Sequence, residues 1–444
     1  MNLLRGLLLE NMGLKLVALV LALVVYLHVY TDRPATLTMT FPVAVSDLAD
    51  SLAIVSQSPV TVSAELKGTG KQLIRLRLAE PRLHVSLSGV GPGRFQCIAW
   101  MRGTGGGRSL MLNGHTDVDP VTVGQRRDPW TPTIEGDRLY GHGLQNMKGG
   151  VAAMIESALM LQRAGARLRG DVLIANVVGE LQAGVGTVHL LERGVRTDAA
   201  IVTEPYGAGN ITTVHSGRWQ AAITTYGRGM HHSRREHAAD AIAAMLDVVR
   251  EIYQMRLSGG AWEKVPGVPR LNVGSLIGGH GPDADVAGAY YVADVCTAIL
   301  DIRHGPAQSD ASMTADLKSA IERALSAHRG IRYEIVAPPP ARFRNGRHQF
   351  PVFDLPLDQP IVGVVAHNVE AVTGKPPESI GVHPTTGSLA SDDTGHLWKV
   401  GIPCVLYGPT GPREPTGDPD GCVSISEMET CAKVIALSAL EYCQ

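Results

Sequence analysis

The chain has 444 residues, enough for two or three domains, and 44% of them are hydrophobic while only 18% are charged. The net charge is −2 and aromatic residues make up 5%, so the basic and base-stacking surfaces that bind nucleic acid are not expected. The six cysteines contain no Cys-x-x-Cys pair, which excludes a zinc ribbon and a thioredoxin-like site.

An apolar run near the amino terminus predicts a transmembrane anchor over residues 1–33. Residues 16–27 are unbroken apolar sequence, and with residues 12–14 and a snorkelling Lys15 the stretch reaches about 19 residues, enough to span a bilayer as a helix. A cleaved signal peptide is the alternative, but no small-x-small site follows the run. Arg5 precedes the span together with Lys15, which predicts that the bulk of the chain is extracytoplasmic.

Residues 34–95 alternate apolar and polar side chains, for example in 37–41 and 60–64, which predicts a small β unit. Three motifs in the first 95 residues match a known module: Asn11-Met12-Gly13-Leu14-Lys15-Leu16, Phe41-Pro42-Val43 and Leu87-Ser88-Gly89. Through them the anchor and β unit resemble the start of a YbbR-like protein, a membrane-anchored extracytoplasmic β module. The resemblance implies a separate regulatory role at the membrane.

Strand and helix patterns alternate from residue 96 onward, which predicts an α/β fold. Residues 96–206 and 331–444 are predicted to form one domain, and 207–330 an inserted α+β domain. Strands are expected at 110–112, 172–178, 219–226 and 298–303, and helices at 151–164, 238–253 and 309–328.

The segment Gly114-His115-Thr116-Asp117 directly follows the first of these strands. Side chains at i and i+2 of a strand point to the same face. His115 can therefore face a metal ion while the carboxylate of Asp117 accepts the other N–H of the ring and fixes its tautomer. A turn-capping role for Asp117 is the alternative.

Further motifs follow in order over about 350 residues. They are residues 114–120 (GHTDVDP), Asp128-Pro129-Trp130, residues 136–140 leading to Met147-Lys148-Gly149-Gly150, Glu204-Pro205, residues 227–233, Leu271-Asn272-Val273-Gly274, Asp301-Ile302-Arg303, Asp393, Gly401-Ile402-Pro403 and Tyr407-Gly408-Pro409. Through these motifs residues 96–444 resemble the metal-dependent amidohydrolase and exopeptidase family of acetylornithine deacetylase, succinyl-diaminopimelate desuccinylase, aminoacylase and glutamate carboxypeptidase. The resemblance implies a zinc-exopeptidase-like catalytic domain with an inserted lid domain that dimerises.

The resemblance also implies two zinc ions, and this chain departs from the family at the second of them. The positions for one ion hold His115, Asn146 and Glu204, where Asn146 replaces a bridging Asp. The other positions hold Leu181 and Gly417, which offer no ligand. An amide has one acceptor oxygen and no charge, so Asn146 serves one ion but bridges two poorly. We therefore predict one Zn²⁺, with Co²⁺ or Mn²⁺ as alternatives, bound by these three residues and water.

The resemblance assigns roles to four further residues. Glu180 is the general base that takes a proton from metal-bound water, although a one-residue shift of alignment would make it a metal ligand and remove the base. His231, or alternatively His232, reaches the active site of the partner subunit and polarises the scissile carbonyl. Arg303 binds a substrate carboxylate or forms a structural salt bridge, and Asn272 lies in the same substrate site or serves loop geometry.

Together these features predict a homodimeric metal-dependent hydrolase that cleaves an amide bond in a small N-acyl amino acid or peptide-like substrate. The alternative is a catalytically impaired pseudoenzyme that acts as a membrane-tethered binding or regulatory module, because three ligand positions are altered. The junction at residues 95–100 lacks the family's own first helix and strand. The protein is therefore membrane-anchored if this fusion is genuine, and cytoplasmic if two gene fragments were joined.

Overall fold

A computed structural model describes residues 34–46, 61–69, 72, 83–86, 96–286, 288–340, 343, 348–411 and 420–444. The chain divides into two compact units, Met1–Ser88 and Gly89–Gln444, so the boundary lies seven residues before the predicted one at 95/96. Within the described ranges, no helix is long and apolar enough to cross a bilayer. The anchor predicted for residues 1–33 lies outside those ranges.

The first unit contains a three-stranded sheet. Its strands are β1 (Pro34–Ser46), β2 (Thr61–Thr69) and β3 (Leu83–Ser86), in the order β2-β1-β3. β1 runs antiparallel to β2, with Pro34 opposite Thr69, and parallel to β3. The predicted strand segment 37–41 lies inside β1, and residues 61–64 of the second segment lie inside β2.

Strands and helices alternate along the second unit. In chain order they are β4 (Cys97–Met101), β5 (Leu110–His115), β6 (Thr133–Glu135), β7 (Arg138–Tyr140), α1 (Gly149–Arg163), β8 (Val172–Val177), α2 (Val185–Glu192), β9 (Ala199–Val202), β10 (Asn210–His215), β11 (Gly217–Tyr226), α3 (Ala241–Gln254), β12 (Arg270–Gly279), β13 (Val295–His304), α4 (Asp310–Leu325), β14 (Arg332–Val336), β15 (Phe353–Asp354), α5 (Pro360–Thr373), β16 (Ser379–Val382), α6 (Thr394–Lys399), β17 (Cys404–Leu406), β18 (Cys422–Ser424) and α7 (Ile425–Tyr442).

The catalytic domain is built on a sheet with the order β15-β10-β17-β9-β5-β8-β4, with β16 paired to β10. β5 runs parallel to both β8 and β9, and α1 and α5 pack against α7. Leu110, Met111 and Leu112 of β5 are fully buried, as expected for a central parallel strand covered on both faces. The carboxyl ends of β5, β8 and β9 therefore meet at one edge of the sheet, where α/β proteins bind their ligands.

The lid domain is a four-stranded antiparallel sheet, β12-β13-β11-β14, with α3 and α4 packed on one face. Trp219, Leu300 and Met245 are among the buried residues that join the sheet to these helices. Asp240 caps α3 by accepting hydrogen bonds from the first turn.

The strand pairing is informative at both ends of the lid domain predicted at 207–330, whose bounds stay a prediction. β10 pairs with β15, β16 and β17 in the central sheet, whereas β14 pairs with β11 in the lid sheet. The strands of the lid sheet therefore run from β11 to β14. These pairs join strands that lie more than a hundred residues apart in the sequence, so the local sequence pattern could not predict them.

Candidate active site

Four predicted site residues lie together at the carboxyl edge of the central sheet. His115 is the last residue of β5, Glu180 follows β8 and Glu204 follows β9. Asn146 lies in the segment Leu144–Lys148, just before α1, and its own backbone is not helical (φ −123°, ψ 101°). The exposed fraction is 1% for His115 and 5% for each glutamate, whereas Asn146 is exposed, so the topology brings three buried groups and one exposed amide together.

The distances within the cluster fit a single metal ion. The Nε2 atom of His115 lies 3.0 Å from Oδ1 of Asn146, 3.4 Å from Oε1 of Glu204 and 4.0 Å from Oε2 of Glu180. Ligands about 2.0–2.1 Å from a tetrahedral zinc are about 3.3 Å apart from each other. His115, Asn146 and Glu204 match that spacing, while the greater distance of Glu180 suits a base beside the ion better than a ligand.

The donor set explains why the cluster differs from a common zinc site. In the part of the chain that the structure describes, no group of three or more His, Cys, Asp and Glu side chains is arranged to hold a metal. Of the three predicted ligands, only His115 and Glu204 belong to those residue types, and the third donor is the amide oxygen of Asn146. The three residues present therefore fit one ion, with a neutral oxygen in place of an anionic one.

The electrostatics of the cluster favour a cation. Burial by itself would lower the pKa of His115, but the hydrogen bond and charge of Glu204, with the charges of Glu180 and Asp117, raise the pKa to about 11. Burial raises the pKa of both Glu180 and Glu204, and the charge of Glu204 raises that of Glu180 further. A bound cation would satisfy these crowded carboxylates.

The side chain of Asp117 has a different role from the one predicted. Nδ1 of His115 lies 2.8 Å from the backbone carbonyl of Asp117, and the carboxylate is farther away at 3.6 Å. That carboxylate instead accepts hydrogen bonds from the backbone N–H groups of Gly179, Glu180 and Leu181 at 2.7, 3.3 and 3.1 Å. Three converging backbone donors hold it away from the ring. Asp117 thus orients the histidine through its main-chain carbonyl. Its side chain orients residues 179–181, the loop that carries Glu180 and is called the Glu180 loop below.

Leu181 stands at one of the two positions that were predicted to offer no ligand to a second metal ion. Leu181 lines the cavity, and its carbonyl accepts a hydrogen bond from Nη2 of Arg218 at 3.3 Å. Arg218 is only 7% exposed, and its guanidinium lies 4.4 Å from the centre of the Phe350 ring. Gly417 lies outside the described residues. Arg218 was missed in the sequence analysis, although an arginine next to the apolar strand 219–226 was a signal.

Two buried aspartates, Asp392 and Asp393, lie near the cluster. Asp392 accepts two hydrogen bonds from Thr394, and its Oδ1 lies 3.4 Å from Nε2 of His215. Although burial opposes it, these partners hold the pKa of Asp392 below its usual range. Asp393 accepts a hydrogen bond from Thr187 at 2.7 Å, and burial raises its pKa to about 7. Sequence reasoning identified Asp393 but missed Asp392 and His215.

A cavity of about 710 Å³ opens in front of the cluster and is lined by both the catalytic and the lid domain. Arg303 and Asn272 line it, and their predicted role in binding a substrate stays a prediction. Arg303 donates to Asp301 at 2.7 Å and to Oγ of Ser391 at 3.1 Å, so it combines an ion pair with a cavity position. His231 does not line the cavity. It is exposed, caps the short 3₁₀ helix His232–His237, and packs beside two tyrosines, Tyr290 and Tyr291.

The chain is similar to known proteins over most of its length. The model of the family "Peptidase family M20/M25/M40" matches residues 111–441. An N-formyl-4-amino-5-aminomethyl-2-methylpyrimidine deformylase of Halalkalibacterium halodurans is 25% identical over 403 residues, covering 84% of this chain and 88% of the relative. A succinyl-diaminopimelate desuccinylase of Gluconobacter oxydans is 29% identical over 224 residues, covering 48% and 56%.

Solved structures share the fold at low identity. The di-peptidase Dug1p of Saccharomyces cerevisiae has a TM-score of 0.65 at 11% identity, and the comparison covers 84% of this chain and 90% of that one. An M20 metallo-carboxypeptidase, Sso-CP2 of Sulfolobus solfataricus, has a TM-score of 0.59 at 16% identity, covering 79% and 88%.

Proposed function

Since the chain belongs to the M20/M25/M40 peptidase family and is a hydrolase of amide bonds in N-acyl amino acid or peptide-like substrates, we propose that it works with one zinc ion held by His115, Asn146 and Glu204. The observation that carries this proposal is that Oδ1 of Asn146 and Oε1 of Glu204 lie 3.0 and 3.4 Å from Nε2 of His115, close to the separation of neighbouring ligands on one zinc ion. The family is metal-dependent, and Co²⁺ or Mn²⁺ would suit the same donors.

The buried groups divide the chemistry between them. When bound, a zinc ion would lower the pKa of a coordinated water and polarise the scissile carbonyl. Glu180 takes the proton from the attacking water and delivers it to the leaving amine; its raised pKa suits both transfers. Asp117 holds the backbone of Glu180 in place. Because this machinery is complete for one ion, the enzyme is favoured over the pseudoenzyme.

Zinc content and hydrolysis test the proposal together. Full-length protein and a Glu204→Ala variant are exposed to zinc, dialysed and analysed for bound metal, and both are assayed on a panel of N-acyl amino acids. We expect about one zinc per chain and turnover in the wild type, with both lost in the variant. Two tightly bound ions would contradict the single-ion site, and metal without turnover on any substrate would support the pseudoenzyme.

We also propose that the lid domain forms a homodimer. β12 is an edge strand, and Leu276 and Ile277 on it are 46% and 43% exposed. The neighbouring helix α3 exposes Ile242, Leu246 and Tyr253 at 36%, 50% and 53%. An exposed apolar surface beside an unpaired strand edge suits a second copy of the chain. His231 is exposed on the same domain and does not line its own cavity, which supports delivery to the cavity of the partner subunit.

Subunit mixing tests the delivery of His231. The variants Glu180→Gln and His231→Ala are purified as inactive proteins, mixed, and allowed to exchange subunits. If His231 acts on the partner subunit, heterodimers contain one intact site, and about a quarter of all sites recover activity. If it acts within its own subunit, no combination restores a site, and the mixture stays inactive.

For the amino-terminal region we propose a membrane anchor over residues 1–33 followed by the YbbR-like β unit at 34–95, with the hydrolase extracytoplasmic. The supporting observations are the apolar run at 16–27, the basic residues before it, and the three-stranded sheet. Alkaline extraction of membranes tests it: the full chain should stay in the membrane pellet and a variant without residues 1–33 should be released. Release of the full chain would contradict the anchor.

A further inference from the structure

A buried arginine faces the cavity beside the Glu180 loop. Side chains alternate along a strand, and Trp219 of β11 is buried in the core under the lid helices. Arg218, the residue before it, therefore points to the other face of the sheet, where it lines the cavity. Its Nη2 atom donates to the carbonyl oxygen of Leu181 at 3.3 Å. A cation thus lies next to the residue that offers no ligand to a second metal ion.

The side chain and the backbone of Arg218 are both held in place. Its backbone N–H group donates to the carbonyl of Phe350 at 3.0 Å, and the N–H group of Phe350 donates back at the same distance. The ring of Phe350 also lies 4.4 Å from the guanidinium carbon. A cation that is fixed before the reaction can stabilise a developing negative charge without any rearrangement of the protein.

The burial of Arg218 costs stability that its own contacts do not offset. Its buried Nε atom has no hydrogen-bond partner among the residues that the structure describes. The other two arginines of the cavity are placed differently: Arg303 is paired with Asp301 at 2.7 Å, and Arg270 is exposed. Burying a charged group and leaving a donor unsatisfied both destabilise a fold. A guanidinium kept under these conditions indicates a role in function.

The surroundings of Arg218 are acidic. The same cavity is lined by five carboxylates, which are Asp119, Glu180, Glu204, Asp301 and Asp392. Burial lowers the pKa of Arg218, and the charge of Glu180 is the strongest influence that opposes this effect. Burial raises the pKa of Glu180, and the charges of His115 and Arg218 counteract it. The arginine therefore interacts electrostatically with the group that acts as the base.

We propose that Arg218 is the second cation of the active site and supplies the positive charge that a second metal ion would. This inference rests on the proposed function. As water adds to the scissile carbonyl carbon, its proton passes to Glu180 and the π electrons of the C=O bond move to the oxygen. Arg218 keeps all of its protons, and its charge stabilises that oxygen. The C–N bond then breaks, the C=O bond re-forms, and the proton passes from Glu180 to the leaving amine.

The affinity for zinc tests this role without any need for turnover. Arg218→Met removes a charge that repels the ion, so the full-length variant should bind zinc about 10–100 times more tightly than the wild type. Arg218→Lys keeps the charge, and its affinity should stay within about threefold of the wild type. Arg256→Met, which removes an exposed charge outside the cavity, is the control for net charge. Competition with a chelating dye measures each affinity, and circular dichroism checks the fold.

Steady-state kinetics separate this role from the binding of a substrate carboxylate. With an N-acyl amino acid and its neutral carboxamide, kcat of Arg218→Met should fall about 10–100-fold for both, while KM changes less than about threefold. Unchanged or weaker zinc binding in this variant, or a rise in KM confined to the carboxylate substrate, would overturn the inference. Tighter zinc binding without turnover of any substrate would reject the catalytic proposal and keep the second cation. Two zinc ions on the wild type would overturn both.

Discussion

The two walls of the cavity are built in different ways. The catalytic wall places buried carboxylates on loops at the ends of parallel strands, and each group is held by partners distant in the sequence. The lid wall places arginines in one row of an antiparallel sheet, and one of them, Arg270, is exposed and without a partner in the described ranges. Buried groups in a fixed network suit chemistry, whereas partly exposed charges suit recognition. Substitutions on the first wall should therefore lower kcat, and those on the second, apart from the buried Arg218, should raise KM.

The largest effect is expected for Glu180→Gln on the catalytic wall. Glutamine keeps the shape of the side chain but cannot accept the proton, so kcat should fall by about 10²–10⁴-fold. Zinc content and KM should change little, because Oε2 of Glu180 lies 4.0 Å from the histidine nitrogen that would bind the ion. Loss of zinc in this variant would instead identify Glu180 as a ligand.

Asp117→Asn should have the next largest effect. An amide provides one acceptor oxygen where the carboxylate now binds the N–H groups of Gly179, Glu180 and Leu181, so the Glu180 loop loses its fixed position. We expect kcat to fall by about 10–100-fold. Steady-state kinetics measure this, and circular dichroism checks the fold. An unchanged kcat would show that the loop is held without Asp117.

On the lid wall, Arg303→Gln should separate binding from chemistry. Arg303 lines the cavity but lies on the lid sheet, so KM for an N-acyl amino acid should rise about 10–100-fold while kcat stays within about threefold. The same N-acyl amino acid as its neutral carboxamide serves as the control substrate, since its KM should not change. A fall in kcat with unchanged KM would place Arg303 in the chemistry and remove the contrast between the walls.

Behind the catalytic wall, Asp393→Asn is expected to change the free energy of unfolding. The effect is measured in protein freed of metal by a chelator. Burial raises the pKa of Asp393 to about 7 in the folded state, from an ordinary value of 3.8. The protonated carboxyl contributes stability that is fully present below pH 3.8 and is lost as the pH rises through 7. The variant should therefore gain stability relative to the wild type as the pH rises between these values, by about 4 kcal/mol in all. Urea unfolding from pH 4 to 8 measures the difference; a constant difference would contradict the raised pKa.

The sequence predicted that His115, Asn146 and Glu204 would lie together, and the structure places them close to one another. His115 ends a buried apolar run, and the motifs around Asn146 and Glu204 resemble a known family, so their convergence could be expected. The metal-dependent hydrolase and the α/β fold were predicted on the same basis, and the family match confirms them. The assigned roles of the individual residues remain predictions.

Other parts of the site depend on contacts that the sequence does not contain. The carboxylate of Asp117 meets backbone groups more than 60 residues away, and no pattern predicts three converging N–H groups. The row of Arg218, Arg303 and Arg270 depends on the register of β11, β12 and β13, and a shift of one residue would turn Arg218 or Arg270 to the other face. The burial of Asp392 likewise depends on α6 and β17 packing together.

The dual use of Asp117 has a thermodynamic consequence. The main-chain carbonyl of Asp117 contacts the ring of His115, which would bind the ion. Its carboxylate contacts the loop that carries Glu180. A single residue therefore links the position of the histidine to the position of that loop. Metal binding and loop ordering then share a coupling free energy, which by linkage is the same in both directions. An ion that rigidifies the histidine also orders the Glu180 loop, and a substitution that frees the loop weakens the ion's affinity without touching any of its ligands.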